Sequence, residues 1–236
     1  MGFWGVIDDL ANRPHDCDVL LDQTYGRKEA DYRAYVPSEC TLLLGTQYSL
    51  LRPEFRDCRE RALQKRDEVN TPTKVLVTFG ASDPFSMSAF TIEALSQVTT
   101  PLNVHIISPL PEVSRMPLPS QHTFTFSPHV DRIWDEMSSA DVAIGAAGTT
   151  SWERCALGLP SILVTTADNQ ELIAQNLDEA GAVIYLGKRQ NVTQNMMADA
   201  INQLCENADM THRISQNARK VCDGFGAERV AAVIEQ

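Results

Sequence analysis

The chain has 236 residues, of which 43% are hydrophobic and 22% are charged, and its formal net charge is −11 at pH 7. These values fit one large or two small globular domains, and the negative charge argues against a nucleic-acid or anionic-membrane partner. No apolar run approaches the ~20 residues of a membrane-spanning helix. The six cysteines form no Cys-x-x-Cys pair, which favours reduced thiols over a disulfide framework. The sequence therefore predicts a cytoplasmic protein without nucleic-acid or membrane partners.

The first part of the chain holds short apolar runs at 6–7, 17–21 and 41–44, which predict strands with little helix between them. Buried parallel strands need helices on both faces, and this part supplies too few. Residues 1–52 are therefore either an unusual cap or the remnant of an N-terminal α/β domain whose beginning is absent. An incomplete sheet leaves a free edge, so self-association through it is expected. Residues 53–72 are rich in charge and predict a linker helix with a solvated charged face.

From Lys74 onward, strands alternate with helices. The predicted strands are 74–79, 104–108, 123–126, 142–144, 161–164 and 182–186. The predicted helices are 83–96, 130–137, one opening at 149, 169–180, 193–207, 211–221 and a last one after Gly226. This alternation predicts a complete, doubly wound, parallel, Rossmann-like domain over residues 73–236.

The most informative stretch runs from Ala140 to Pro160. Its strand enters a turn with Gly145 and Gly148, and three hydroxyl residues (149–151) then open a helix. Glycine lets a backbone approach a ligand closely, and a helix start presents unpaired amides, so the turn is typical of a phosphate cradle. A carboxylate in the first helical turn, here that of Glu153, is placed to accept hydrogen bonds from ribose hydroxyls. The structural alternative is that the glycines only let the helix pack on the strand.

Two further loops follow predicted strands. In residues 80–84, Asp83 and Pro84 are expected to be the N-cap and first residue of a helix, which is also a routine structural pattern. Because ligands in parallel sheets bind beyond the carboxyl ends of the strands, this loop and the Gly145–Gly148 turn can face one site. The second loop, 165–170, ends in amide side chains suited to sugar hydroxyls, and Asp168 is expected to cap the helix that follows.

The histidines are weaker candidates. His15 and His129 lie in predicted loops, where a lone histidine is more often exposed or capping than catalytic. Asp8, Asp9 and Asp16 lie near His15, but without the helical spacing of a metal site, so no metal or cofactor is expected.

Five segments together carry a family resemblance: VIDDLANRPHDCDVLLDQ (6–23), LLLGTQYSLLRPEF (42–55), FGASDP (79–84), GTTSWE (148–153) and DNQ (168–170). In them the chain resembles the PseG family, the UDP-2,4-diacetamido-2,4,6-trideoxy-β-L-altropyranose hydrolases of pseudaminic acid biosynthesis. The resemblance covers nearly the whole chain. More distantly, the C-terminal half is similar to MurG-type glycosyltransferases of the two-domain GT-B fold. A GT-B-like α/β protein is therefore implied.

The resemblance also implies where a UDP-sugar would bind. UDP would be held mainly by the C-terminal domain, and the sugar would be released as the free 6-deoxy-diacetamido sugar when water attacks its anomeric carbon. The implied contacts are Gly148, Thr149 and Thr150 at the diphosphate, Glu153 at the ribose, Gly80 and Ser82 near the phosphates, and Asn169 and Gln170 at the sugar.

One feature of the family has no counterpart in this sequence. In the family the first strand leads into a glycine-rich loop bearing a histidine, the general base, and no such loop occurs here. His15 lies in a different motif, so no catalytic residue is assigned. The chain is expected to be N-terminally truncated, to retain part of a UDP site and to turn over poorly. A MurG-type glycosyltransferase and a non-catalytic UDP-sugar-binding module are the alternatives.

Overall fold

The computed structural model describes residues 4–68 and 71–235, and these residues form two parallel β-sheets with helices packed around them. The strands are β1 (Gly5–Ile7), β2 (Val19–Asp22), β3 (Thr41–Leu44), β4 (Lys74–Thr78), β5 (Asn103–Ile107), β6 (Thr123–Ser127), β7 (Val142–Ala146), β8 (Ser161–Thr165) and β9 (Ile184–Lys188). The helices are α1 (Glu29–Tyr32), α2 (Pro53–Glu68), α3 (Met87–Leu95), α4 (Ile133–Ser139), α5 (Thr150–Ala156), α6 (Glu171–Glu179), α7 (Gln194–Glu206), α8 (Ala208–Val221) and α9 (Gly226–Ile234). None of the helices in the described residues is long and apolar enough to cross a membrane.

The larger sheet has the strand order β6-β5-β4-β7-β8-β9, and all its neighbours are parallel. The chain therefore winds outward from β4 in one direction, returns to the centre and winds outward from β7 in the other. This confirms the predicted doubly wound α/β domain. Its central strands are covered on both faces: Val77 and Ile144 are fully buried on one face, and Leu76 and Ala143 are buried on the other.

Strand β9 begins two residues later than the sequence pattern predicts. Gly181 ends α6 with a φ of +64°, and the amides of Gly181 and Ala182 donate to the carbonyls of Asp178 and Leu177 at 2.8 and 2.9 Å. This is a Schellman motif, in which a glycine in the left-handed conformation satisfies the last helical carbonyls. Ala182 is therefore part of the helix cap rather than of the strand.

The linker helix α2 forms as predicted, but its charged residues do not all face solvent. Arg66 is 3% exposed, and its guanidinium donates to the carbonyls of Met137, at 2.7 Å, and Ala140. Both carbonyls belong to the end of α4, where the helix leaves acceptors unpaired and carries partial negative charge. The expectation of a solvated face is wrong for Arg66 and holds for Glu60 and Arg61, which are exposed.

Arg59 makes the same kind of contact with two other helices. Its guanidinium donates to the carbonyl of Ala156 at the end of α5, and to those of Arg219 and Cys222 at the end of α8, at 2.8 and 3.0 Å. Helix α2 therefore joins the C-terminal ends of three helices through two arginines.

The N-terminal sheet, of order β1-β2-β3, is completed by the last helix. Val230 of α9 packs with Val19, Leu21 and Leu43 in one apolar cluster, and the Thr46 hydroxyl donates to the carbonyl of Val221. At the β1 edge of this sheet, β2 is the only strand that pairs with β1 among the described residues. Three apolar side chains next to this edge are exposed: Trp4, Ile7 and Leu10.

Replacing Arg59 by Met should lower the free energy of unfolding by about 2 kcal/mol, because carbonyls at two helix ends lose a charged donor. Urea denaturation measures this. The control Arg61→Met removes the same charge from the exposed side of α2 and should change stability by no more than about 0.5 kcal/mol. Equal effects of the two substitutions would contradict the capping role.

Candidate functional site

Three of the predicted loops leave the same edge of the larger sheet. They follow β4, β7 and β8, which are consecutive parallel neighbours. The winding direction reverses between β4 and β7, where Thr78 pairs with Gly145. In open parallel sheets, ligands bind at the carboxyl ends of the strands where this reversal opens a crevice. The Gly80 and Gly148 loops therefore flank the preferred ligand position of this fold.

The loop after β4 contains a glycine with free space around it, and the buried carboxylate of Asp83 holds the loop in place. Gly80 has a φ of +85°, and a Cβ added there would meet no atom within 4 Å. Ser82 is exposed. Asp83 is 1% exposed, and its carboxylate accepts hydrogen bonds from the Ser108 hydroxyl at 2.7 Å and the Ser88 amide at 3.2 Å.

The expectation that a helix begins at Pro84 is confirmed only in part. Asp83 precedes a short 3-10 helix, Pro84–Ser86, and the α-helix α3 begins only at Met87. Asp83, Phe85 and Ser86 have φ values of 42°, 64° and 52°, in the left-handed region that residues other than glycine rarely adopt. Each such residue costs on the order of 1–3 kcal/mol and persists where surrounding contacts impose it, often near functional sites. Here the Asp83 carboxylate is held by its two hydrogen bonds.

The two glycines of the second loop have different roles. Strand β7 extends to Ala146, so Gly145 lies inside the strand rather than in the predicted turn. A Cβ on Gly145 would lie 2.3 Å from the Thr78 carbonyl oxygen and 2.6 Å from Nη1 of Arg154, so no side chain fits. A Cβ on Gly148 would meet nothing within 4 Å. Gly145 thus serves packing, and Gly148 leaves space open at the crevice.

Replacing Gly145 by Ala should lower the free energy of unfolding by about 3 kcal/mol, because the added methyl overlaps main chain that cannot move away. The matched substitution Gly148→Ala should give a folded protein of nearly unchanged stability. Thermal and urea unfolding of the two variants checks this, and a stable Gly145→Ala protein would show that the strand ends can separate.

The residues that open α5 face in different directions. Thr149 is exposed and Thr150 is half-buried at the crevice edge, as a phosphate-binding role requires. Ser151 is 1% exposed and accepts a hydrogen bond from Nη2 of Arg154 at 3.1 Å, so it faces the protein interior. The prediction of three donors for a ligand is therefore wrong for Ser151.

Glu153 is half-buried in the first turn of α5. Burial raises the pKa of its carboxyl above the ordinary value, and the positive charges of Arg154 and Arg52 offset this only in part. The contribution of Arg52 was not predicted from the sequence. Its guanidinium lies 5.6 Å from the centre of the Trp134 ring and 3.4 Å from the Asp131 carbonyl oxygen.

Because the ionised Glu153 carboxylate is disfavoured by burial, Glu153→Gln should stabilise the ligand-free protein at neutral pH. A carboxyl whose folded-state pKa is raised weakens the fold as pH rises through the unfolded-state pKa, and this effect levels off above the folded-state pKa. The stability gain of the variant should therefore shrink toward zero as pH falls from about 7.5 to about 4.5. Urea midpoints over this range measure it, and a gain that grows on acidification would contradict the raised pKa.

The third loop holds one of its two amide side chains in a fixed orientation. The side-chain oxygen of Gln170 accepts from the Thr166 amide at 2.9 Å and the Thr166 hydroxyl at 3.3 Å. Asn169 is exposed. The expectation that Asp168 caps the helix is wrong, since Asp168 begins a 3-10 turn and Gln170 occupies the position before α6.

The N-terminal motif forms a buried polar network of its own. The Tyr32 hydroxyl lies 2.9 Å from a carboxylate oxygen of Asp8, after β1, and 2.8 Å from one of Asp22, at the end of β2. Burial, together with these two carboxylates, raises the pKa of Tyr32. Burial alone would raise the pKa of Asp8, but hydrogen bonds from the Ala11 amide and Tyr32 and the proximity of His15 hold it below the ordinary value.

Neither histidine singled out by the sequence lies in the three loops. Nε2 of His15 is 3.6 Å from Asp8 in the N-terminal network. His129 is exposed and 3.3 Å from Asp131. Across residues 4–68 and 71–235, no three His, Cys, Asp or Glu side chains are grouped as metal ligands.

Comparison with known proteins defines the class. Residues 55–224 match the glycosyltransferase family 28 C-terminal domain. This match spans more than half of the chain, and the chain belongs to that family. MurG of Acinetobacter baumannii has the same fold, with a TM-score of 0.70 at 19% identity over 93% of the chain and 60% of MurG. The predicted GT-B-like architecture is thereby confirmed.

Two curated relatives are more specific. The chain is 24% identical over 92% of its length to the spore coat polysaccharide biosynthesis protein SpsG of Bacillus subtilis, of which it covers 64%. It is 38% identical over 56 residues, 23% of the chain and 20% of the relative, to the UDP-2,4-diacetamido-2,4,6-trideoxy-beta-L-altropyranose hydrolase of Campylobacter jejuni. The chain thus spans less than two thirds of the length of these relatives, and the resemblance to the hydrolase extends over a short segment.

Proposed function

We propose that the chain binds a UDP-sugar in the crevice between the β4 and β7 loops and belongs to an enzyme that cleaves the bond between the sugar and the diphosphate. The observation that carries this proposal is the pair of open glycines, Gly80 and Gly148, at the point where the sheet reverses its winding. Membership of glycosyltransferase family 28 supports a nucleotide-sugar ligand.

The diphosphate is assigned to the loop amides. With no side chain at Gly148, the main chain at 148–150 can approach the phosphate oxygens, and the Thr149 and Thr150 hydroxyls add donors. Gly80 and Ser82 close the opposite wall. Local amides of this kind bind an anion although the chain as a whole carries a net charge of −11.

The ribose is assigned to one side chain and the sugar to two. The Glu153 carboxylate is one helical turn from the phosphate-binding residues and can accept from both ribose hydroxyls. Because Thr166 holds the Gln170 carbonyl, the amide nitrogen of Gln170 is the group left to donate to a sugar oxygen. Asn169, being exposed, can donate and accept.

The favoured reaction is hydrolysis of a UDP-linked 2,4-diacetamido-2,4,6-trideoxy sugar. Water attacks the anomeric carbon, the bond from that carbon to the diphosphate oxygen breaks, and UDP and the free sugar leave. The loop amides stabilise the charge that develops on the departing diphosphate. The short segment shared with the Campylobacter jejuni hydrolase supports this reaction. We also propose a cytoplasmic location, because all six cysteines are free thiols.

Glycosyl transfer is the second candidate, and family 28 membership favours it about equally. The attacking group is then an acceptor hydroxyl instead of water, while the roles of the three loops are unchanged. In both reactions the general base remains unassigned. A non-catalytic binding module would use the same crevice without turnover.

Calorimetric titration with UDP tests the binding site. The wild-type chain should bind UDP, and Glu153→Ala should weaken binding roughly tenfold to a hundredfold, as expected for lost hydrogen bonds to a charged acceptor. The control Glu179→Ala removes an exposed carboxylate at the far end of α6 and should leave binding unchanged. No detectable binding at millimolar UDP would refute the proposal.

Release of UDP from the UDP-linked diacetamido sugar separates hydrolysis from glycosyl transfer. A hydrolase releases UDP and free sugar without any acceptor, whereas a transferase releases UDP at a useful rate only when an acceptor is added. A binding module, like a chain that lacks the general base, releases none in either case. Release by the wild-type chain but not by Glu153→Ala would tie the reaction to this crevice.

A further inference from the structure

Arg154 is a buried cation with no carboxylate in contact with it, although the charge of the neighbouring Glu153 acts on it at longer range. It is 1% exposed, and Nη2 donates to the Ala146 carbonyl at 2.6 Å and the Ser151 hydroxyl at 3.1 Å. Its Nε and Nη1 are buried and have no hydrogen-bond partner. Within the described part of the chain, no carboxylate lies within 4.0 Å of its guanidinium.

The guanidinium remains charged at neutral pH. Burial lowers the pKa of Arg154 to about 10, which still leaves the proton bound near pH 7. A buried, incompletely paired charge destabilises a fold unless something compensates for it. The side chain therefore imposes a free-energy cost that its two hydrogen bonds only partly offset.

The buried charge of Arg66, by contrast, is compensated by groups of the chain itself. Its buried guanidinium lies at the C-terminal end of α4, where unpaired carbonyls and the negative end of the helix dipole surround it. Arg154 instead reaches back to the first turn of its own helix, toward Ser151. The unpaired groups of a first turn are N–H donors, so the potential there is also positive.

This incompletely compensated charge lies directly behind the candidate site. Nη1 is 2.6 Å from the position that a Cβ on Gly145 would take, and the Thr78 carbonyl oxygen is 2.3 Å from the same position. The guanidinium therefore lies at the junction of β4 and β7, beneath the point where the two glycine loops leave the sheet. An anion between those loops would face it across a single strand end.

We propose that Arg154 is a positioning residue whose fixed positive charge holds a diphosphate group between the Gly80 and Gly148 loops without touching it. The proposal rests on the proposed function, since it names a counter-charge for that ligand. It also explains why an arginine is kept at a position where an apolar side chain would avoid an unpaired charge.

Binding of three probes by four proteins tests the proposal. The probes are UDP, uridine and inorganic pyrophosphate, and the proteins are wild type, Arg154→Met, Arg154→Lys and Arg61→Met. Arg154→Met should weaken UDP and pyrophosphate about tenfold, as for a unit charge lost across a partly screened distance. Its affinity for uridine, which carries no phosphate, should stay within about twofold. The comparison is made at a pH high enough to keep Glu153 ionised in all four proteins, since the charge of Arg154 also lowers the pKa of Glu153. Arg154→Lys should retain most of the affinity, and Arg61→Met, which loses an exposed charge, should match wild type.

A purely structural role gives a different pattern. Equal losses for uridine and UDP, or no loss for either, would overturn the proposal. If Arg154→Met does not fold, Arg154→Gln removes the charge while keeping donors for Ala146 and Ser151. If the wild type binds no UDP, the proposed function fails on its own. In that case, pyrophosphate should still raise the melting temperature of the wild type more than that of Arg154→Met, which would support the anion site. Equal shifts, or no shift in either protein, would refute the anion site.

Discussion

The close contact of β4 with β7 is the constraint on which the remaining structure depends. At this junction the chain stops winding in one direction and begins in the other. Gly145 allows the Thr78 carbonyl and the Arg154 guanidinium to occupy the space that a side chain would fill. The same contact places two loops with open glycines side by side. Packing beneath the sheet edge and the binding proposed above it thus depend on one arrangement.

Much of the fold follows from local pattern, because apolar strands alternating with amphipathic helices have one common parallel solution. The details that the sequence did not predict are set by tertiary contacts. Asp83 resembles an N-cap in sequence, yet Ser108, twenty-five residues away, takes one of its carboxylate oxygens and fixes a turn in front of α3. Ser151 resembles a ligand donor, but Arg154 turns it inward.

The charges of α2 were the least predictable part. A helix rich in both signs is usually a solvated surface helix. Here Arg59 and Arg66 instead find carbonyls at the ends of α4, α5 and α8, whose positions depend on the completed fold. Likewise, the charge of Arg52 helps to lower the pKa of Glu153. It does so only because Arg52, the residue just before α2, lies near α5 in the completed fold. Long-range partners of this kind leave no periodic signal in a sequence.

The packing of α9 against the smaller sheet has a consequence for folding. Val230 completes the apolar cluster of β2 and β3, and the nearby hydrogen bond from Thr46 to the Val221 carbonyl spans 175 positions of sequence. Contacts between such distant segments form late, because the entropy of closing the intervening loop must be paid first. Burial of the apolar face of the smaller sheet is in this way coupled to folding of the larger sheet, which lies between β3 and α9 in sequence.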